Sequence, residues 1–164
     1  MRATMLVKAA VLAMTLTLST ASAWAAESGV AGACLETDDV ISTTALDPLA
    51  ATAVTIPNTG SVWHCAANCS VQADNPFSGP GTRGQLALRI VGAVVPSTER
   101  NFELTNNSGD DDPDFLEVGT GGVRLNLAAG THTFDCAARK LVSSEPNFNI
   151  NRSCINVVCS DFAL

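Results

Sequence analysis

Four aspartates crowd one short stretch, Asp110-Asp111-Asp112-Pro113-Asp114. Asp110, Asp112 and Asp114 alternate as the first oxygen ligands of an EF-hand loop do. The sixth position is Phe115 where that loop needs Gly, and the twelfth is Gly121 where it needs Glu, so an EF-hand is excluded. Hard oxygens on one turn still suit Ca²⁺, and Asn106, Asn107 and Glu117 would complete a looser calcium site. The plainer reading is a solvated acidic loop that keeps a strand end soluble. No other cofactor is expected.

The two histidines, His64 and His132, are the obvious bases. Nothing in the sequence brings them together, and no His-Glu-x-x-His or Gly-x-Ser-x-Gly run exists. His64 falls on a polar face; His132 shares its alternation phase with Phe134 and Cys136, at the rim of a core. A carboxyl pair such as Glu103 with Asp135 would suit glycoside hydrolysis, but no pattern selects it. The expectation is therefore no catalytic residue and no enzyme, with a secreted hydrolase as an alternative.

Six cysteines, Cys34, Cys65, Cys69, Cys136, Cys154 and Cys159, are an even number and read as three disulfides. Metal thiolates fit poorly, because Cys154 and Cys159 are too loosely spaced for a zinc ribbon, and no Cys-x-x-Cys exists. Along Trp63–Ala73 every second residue is apolar or Cys. If this is one strand, Cys65 and Cys69 lie ~13 Å apart and need separate partners. If Ala66-Ala67-Asn68 turns instead, they can pair with each other. The first reading is preferred. Cys34, in a polar segment, would staple that segment to the body.

The elements that must position these residues are strands. Trp63–Ala73 and Gln85–Val95 alternate strongly, Gly92 marking a bulge in the second. Arg100–Leu104 turns Phe102 and Leu104 inward, and Arg152–Phe162 puts Ile155, Val157 and Cys159 on one face. Val123, Leu125 and Leu127, a small-residue turn at Ala128-Ala129-Gly130, then His132, Phe134 and Cys136 read as an antiparallel hairpin. Loops are expected at Asp74–Gly84, Asn106–Asp114 and Ser143–Asn151. Arg89 and Arg139-Lys140 read as isolated surface basics, and Trp63 as core. The fold class is all-β: an antiparallel β-sandwich of about eight strands, stabilised by disulfides.

The run Val123-Arg-Leu-Asn-Leu-Ala-Ala-Gly-Thr-His-Thr-Phe resembles the strand–turn–strand segment of jelly-roll proteins, among them C1q and tumour-necrosis-factor-like domains and exported bacterial β-sandwich proteins. The resemblance covers this short segment alone. It implies a jelly-roll topology and a binding role, and carries over no catalytic residue.

The chain opens with a positive patch, Arg2 and Lys8, an apolar run Ala9–Leu18 too short to span a bilayer, and small-x-small sites up to Ala25. Residues 1–25 are expected to be a cleaved signal peptide, residues 26–50 a loop-like N-terminal arm, and residues 51–164 a single sandwich domain. Net charge is −7, and removing the leader takes two bases and no acid. Such a chain repels phosphate backbones, so nucleic acid is not an expected partner, and no later run is long and apolar enough to span a membrane. The reading is a periplasmic or secreted non-enzymatic binding or structural protein of the bacterial envelope, its partner a protein or glycan. The alternative to the hydrolase is a subunit of an extracellular assembly formed by strand or face association.

Overall fold

The computed structural model describes residues 28–75, 81–105 and 116–161. These form ten strands: β1 (Ser28–Ile41), β2 (Asp47–Ile56), β3 (Trp63–Asp74), β4 (Thr82–Ile90), β5 (Ala93–Val94), β6 (Arg100–Leu104), β7 (Leu116–Gly119), β8 (Val123–Leu127), β9 (Gly130–Lys140) and β10 (Phe148–Ser160). Sheet A runs β1-β10-β3, with β7 and β8 both on the far edge of β3. Sheet B runs β2-β9-β4, with β5 and β6 both on the far edge of β4. Every pairing is antiparallel.

Each far edge is one strand that breaks and resumes. Gly119 lies opposite Ser70 and Val123 opposite Ala67, so the chain gains a residue between them. Gly121, at φ 74°, supplies the left-handed conformation the bulge needs. Thr120, buried at the break, bonds to Cys69 through its backbone N–H (2.9 Å) and accepts the Cys69 N–H on its hydroxyl (3.1 Å). On sheet B, Thr98 does the same for Leu88: its Oγ1 accepts the Leu88 N–H at 3.2 Å and donates to the Val95 carbonyl at 2.8 Å. Counting each broken edge as one strand leaves eight, and successive strands cross between sheets except at the β4–β5 hairpin. This is the connectivity of a jelly roll, and the expected fold class holds.

The core lies between the sheets. Trp63, Cys65, Ala67, Cys69, Val71 and Ala73 of β3 all face inward, as the alternation requires. Leu86 and Leu88 of β4, Phe134 of β9 and Ile155 and Val157 of β10 close on them. Phe102 packs over Gly84, where a Cβ would come within 2.2 Å of the ring, and stands edge-to-face with Phe148, the ring centroids 5.4 Å apart. Bulges in β2 and β10 face each other: the Ala50 N–H donates to the buried Ser153 hydroxyl at 2.9 Å across the sandwich. The disulfides are Cys34–Cys154, Cys65–Cys159 and Cys69–Cys136. Cys65 and Cys69 do take separate partners. Cys69–Cys136 ties sheet A to sheet B; the other two join neighbouring strands of sheet A.

Several expectations give way. The segment expected to be a loop-like arm is β1, a 14-residue edge strand. Its polar sequence is tolerated because only alternate positions face the core. Val123–Lys140 is not a hairpin: β8 pairs with β3 and β9 with β2 and β4, so Ala128-Ala129 carries the chain from one sheet to the other. Alternation on both sides of a Gly turn cannot distinguish a hairpin from a crossover. Val91 and Gly92, at φ 51° and 78°, form a two-residue turn rather than a bulge. β10 begins at Phe148, inside the expected last loop. Lys140 is buried, its Nζ donating to the carbonyls of Ser143 (3.3 Å) and Glu145 and to Asn147 Oδ1 (3.2 Å). Three carbonyl-type acceptors replace the water that a surface lysine would keep. Arg89 is not isolated either; it is paired with Asp135.

Candidate functional site

A jelly roll has two outer faces, and here they differ in kind. On sheet B, β4 and β9 alternate Gln85, Ala87 and Arg89 against Arg139, Ala137 and Asp135. Arg89 Nε donates to Asp135 Oδ2 at 2.8 Å. Arg139 Nε donates to Gln85 Oε1 at 2.8 Å, and Gln85 Nε2 to Asn101 Oδ1 at 2.8 Å. These long side chains satisfy one another and bury Ala87 and Ala137 completely. Glu103 and Thr133, exposed towards the margins of the same face, stand outside this network.

On sheet A the outward side chains stand in rows across four strands. Cys34, Cys154, Ser70 and Gly119 form one row; Glu36, Arg152, Gln72 and Glu117 form the next. Asn156 and Asn68 continue the pattern towards β1's start. Over these rows lies an open depression of about 540 Å³, lined by Ser70, Gln72, Glu117, Arg152, Asn156 and the Cys34–Cys154 disulfide, with Gly119 leaving its floor bare. None of the Ser70, Gln72, Glu117, Arg152 or Asn156 side chains bonds to another described residue. Four strands at the usual spacing make the depression about 14 Å across. A single guanidinium, Arg152, lies in the same row as two carboxylates, Glu36 and Glu117.

The sequence-based candidates fare unevenly. His64 points outward on β3, its Nδ1 2.8 Å from Asn126 Oδ1; His132 sits on β9 in the other sheet, its Nε2 2.9 Å from the Ala128 carbonyl. The structure does not bring them together. Glu103 lies opposite Arg83 and Asp135 opposite Arg89, six positions along β4, or about 20 Å. Glycosidase carboxylates stand about 5–9.5 Å apart, so this pair is not one. Asp110, Asp112 and Asp114, the calcium candidates, lie outside the described residues, as do residues 76–80 of the expected Asp74–Gly84 loop, whose ends belong to β3 and β4. Among the described residues no group of three His, Cys, Asp or Glu could hold a metal, and no helix is long and apolar enough to cross a membrane. The residues lining the depression are not recognisable as a group in the sequence. Asn68, Ser70 and Gln72 are visible as the outward phase of β3, but no sequence signal aligns them with Arg152 and Glu117.

One ion pair, Arg83 with Glu145, lies away from the depression. Glu145 Oε1 accepts from Arg83 Nε at 2.7 Å and Oε2 from the Arg83 backbone N–H at 2.8 Å. The side-chain bond, then the backbone bond, holds the Glu145 carboxyl below the ordinary glutamate value. This contact pins the 141–147 loop to the start of β4, together with Thr82 Oγ1 donating to the Pro146 carbonyl at 2.8 Å.

Neither a family model nor a curated protein matches the chain in sequence. Among solved structures, dimeric latent PorU from Porphyromonas gingivalis superposes with a TM-score of 0.50 and 12% identity, over 82% of this chain and 13% of that one. The chain thus spans a small part of PorU's length, and the likeness is one of fold. The sugar-binding EclA C-terminal domain superposes with a TM-score of 0.37 and 10% identity, over 77% of this chain and 78% of that one. Both are all-β neighbours. The three disulfides are the covalent chemistry of an oxidising compartment, which fits an exported protein.

Proposed function

We propose that this chain is a non-enzymatic binding protein of the bacterial envelope or exterior, and that the outer face of sheet A takes a neutral polyhydroxylated ligand, a glycan. The observation that carries this reading is the contrast between the two faces. At the centre of sheet B, Arg89, Asp135, Arg139, Gln85 and Asn101 are bonded to one another, whereas the polar side chains lining the sheet A depression are not. Folding gains nothing from an outward row of unpaired amides, a guanidinium and a carboxylate. A ligand that bridges them does gain from it.

The groups suit vicinal hydroxyls. Gln72 and Asn156 each offer a donor and an acceptor, Arg152 a fixed fork of donors, and Glu117 two acceptors. A polyanion is disfavoured by the net charge of −7 and by the carboxylates flanking Arg152. The depression is open rather than enclosed, so a single site should bind weakly, in the range of a few kcal/mol.

The test is a glycan array probed with the oxidised protein, followed by calorimetry on any hit. Arg152→Ala and Gln72→Ala should each lower affinity roughly tenfold, about 1.4 kcal/mol. Arg139→Ala, on the self-satisfied face, should not. Binding that survives both sheet A substitutions would move the site elsewhere.

A further inference from the structure

Sheet edges expose unpaired N–H and C=O groups, and proteins usually blunt them with bulges, charges or proline. All four edges here carry such devices, but those of β1 (Glu36, Asp38, Asp39 and a register shift between Glu36 and Asp39) and β2 (Asp47, Pro48 and a shift between Pro48 and Ala51) are confined to one end, whereas the other two edges are broken along their length. The β7–β8 edge is broken at Thr120–Gly122, and the β5–β6 edge at Val95–Glu99, which includes Pro96. β1 is different. Ser28-Gly-Val-Ala-Gly-Ala-Cys-Leu35 pairs with β10 without a register shift and carries no charge and no proline. Among the described residues no strand pairs with its other side, in a chain of net charge −7.

The register fixes which groups are open. Cys34 and Cys154 lie directly opposite at a Cα separation of 4.1 Å, the close spacing of a non-hydrogen-bonded antiparallel pair. The N–H and C=O of Cys34 therefore point away from β10, as do those of Gly32 and Val30 by alternation. We propose that a second copy of this chain pairs here, β1 against β1, antiparallel about a two-fold axis through Gly32. Gly32 then meets Gly32 of the second copy, and Val30 meets its Cys34, each pair exchanging backbone hydrogen bonds.

The side chains and charges agree with this register. Leu35, 43% exposed, falls opposite the bare Gly29 of the second copy, and Val30, 75% exposed, falls beside its Cys34–Cys154 disulfide. Glu36 meets Ser28, while Asp38 and Asp39 lie beyond the paired stretch, so no carboxylates oppose each other. The second layer matches. Gly29 sits over Val54, and Ser153, opposite Leu35, bonds Ala50, so the same axis passes near Thr52 of β2. There Ala51–Ile56 is likewise uncharged and unbroken. A foreign strand would cover one edge; a second copy covers both. The dimer places two sheet A depressions on one continuous surface, which raises avidity for a repeating ligand.

The test is sedimentation of the oxidised protein from micromolar to near-millimolar concentration, with hydrogen exchange at the Val30, Gly32 and Cys34 amides. The expected result is a concentration-dependent dimer whose three amides lose protection on dilution. Val30→Pro removes an edge donor that the monomer does not use and should give a monomer; Val30→Thr keeps the donor and the dimer. A monomer at every concentration would overturn the proposal. So would free exchange at those amides, or a Val30→Pro protein that dimerises like the wild type. The glycan reading is separate: binding without a dimer, or a dimer without binding, tells the two apart.

Discussion

Thr120 accepts the Cys69 N–H on its hydroxyl at 3.1 Å, inside the core and next to the one disulfide that joins the two sheets. Thr98 stands in the same relation to Leu88 on the other sheet. Replacing either threonine by valine keeps the shape and strands a buried N–H. We expect each Thr→Val change to cost about 1–3 kcal/mol, and Thr→Ser much less. Denaturant melts would show it as a lower midpoint at unchanged slope. A valine as stable as the wild type would mean that the hydroxyl does not matter.

Val91 is the first residue of a turn in which both central residues have positive φ. A β-branched side chain is poorly suited to that conformation, whereas Asn is favoured there. Val91 is also 73% exposed, so little packing is lost with it. Val91→Asn should stabilise the protein by about 0.5–1 kcal/mol, read as a higher thermal midpoint. A fall would show that Val91's side chain makes a contact that matters.

The three bridges should not be equally reducible. Cys34 is exposed, whereas Cys65, Cys159, Cys69 and Cys136 are buried. Thiolate attack needs access. Mild dithiothreitol followed by alkylation and peptide mass mapping should label Cys34 and Cys154 first, with the fold retained. Early labelling of Cys69 or Cys136 would contradict the burial.

Glu145 gives the stability a sign in acid. Its folded carboxyl lies below the ordinary value because Arg83 bonds it, so the contribution is present above the unfolded value, roughly pH 4.3. It is lost as the pH falls through the lower, folded value. In Glu145→Gln the acid-side decline should be shallower, and at neutral pH the protein should be less stable than the wild type. Parallel stability–pH curves would remove the linkage.

Much of this fold is legible in the sequence. In Trp63–Ala73 every second residue is apolar or Cys, which marks β3 and its buried face and favours separate partners for Cys65 and Cys69 over a turn at Ala66-Ala67-Asn68. The expected count of about eight strands agrees with the jelly roll only in number, because that count leaves out β1 and takes β7 and β8 separately; Thr98 and Thr120, which join the broken edges, carry no sequence signal. What the sequence hides is which strands neighbour which. The pattern around Ala128-Ala129-Gly130 suits a hairpin and a crossover equally, because period-2 alternation reports a buried face and not a partner. Lys140 looks like a surface base because its acceptors, the carbonyls of Ser143 and Glu145, come from a loop with no pattern. The depression is hidden for the same reason. Arg152 and Gln72 are 80 positions apart in the chain but adjacent in register. The acid-rich stretch with Asp110, Asp112 and Asp114 stands out in the sequence by composition alone.

The central claim is that the outer face of sheet A binds a ligand through side chains that folding leaves unpaired. The most direct measurement is a calorimetric titration of the oxidised protein with a glycan selected on an array, repeated with Arg152→Ala and with Arg139→Ala. The account predicts that Arg152→Ala weakens binding about tenfold while Arg139→Ala leaves it unchanged. Equal binding by all three proteins, or no glycan bound by the wild type, would contradict it.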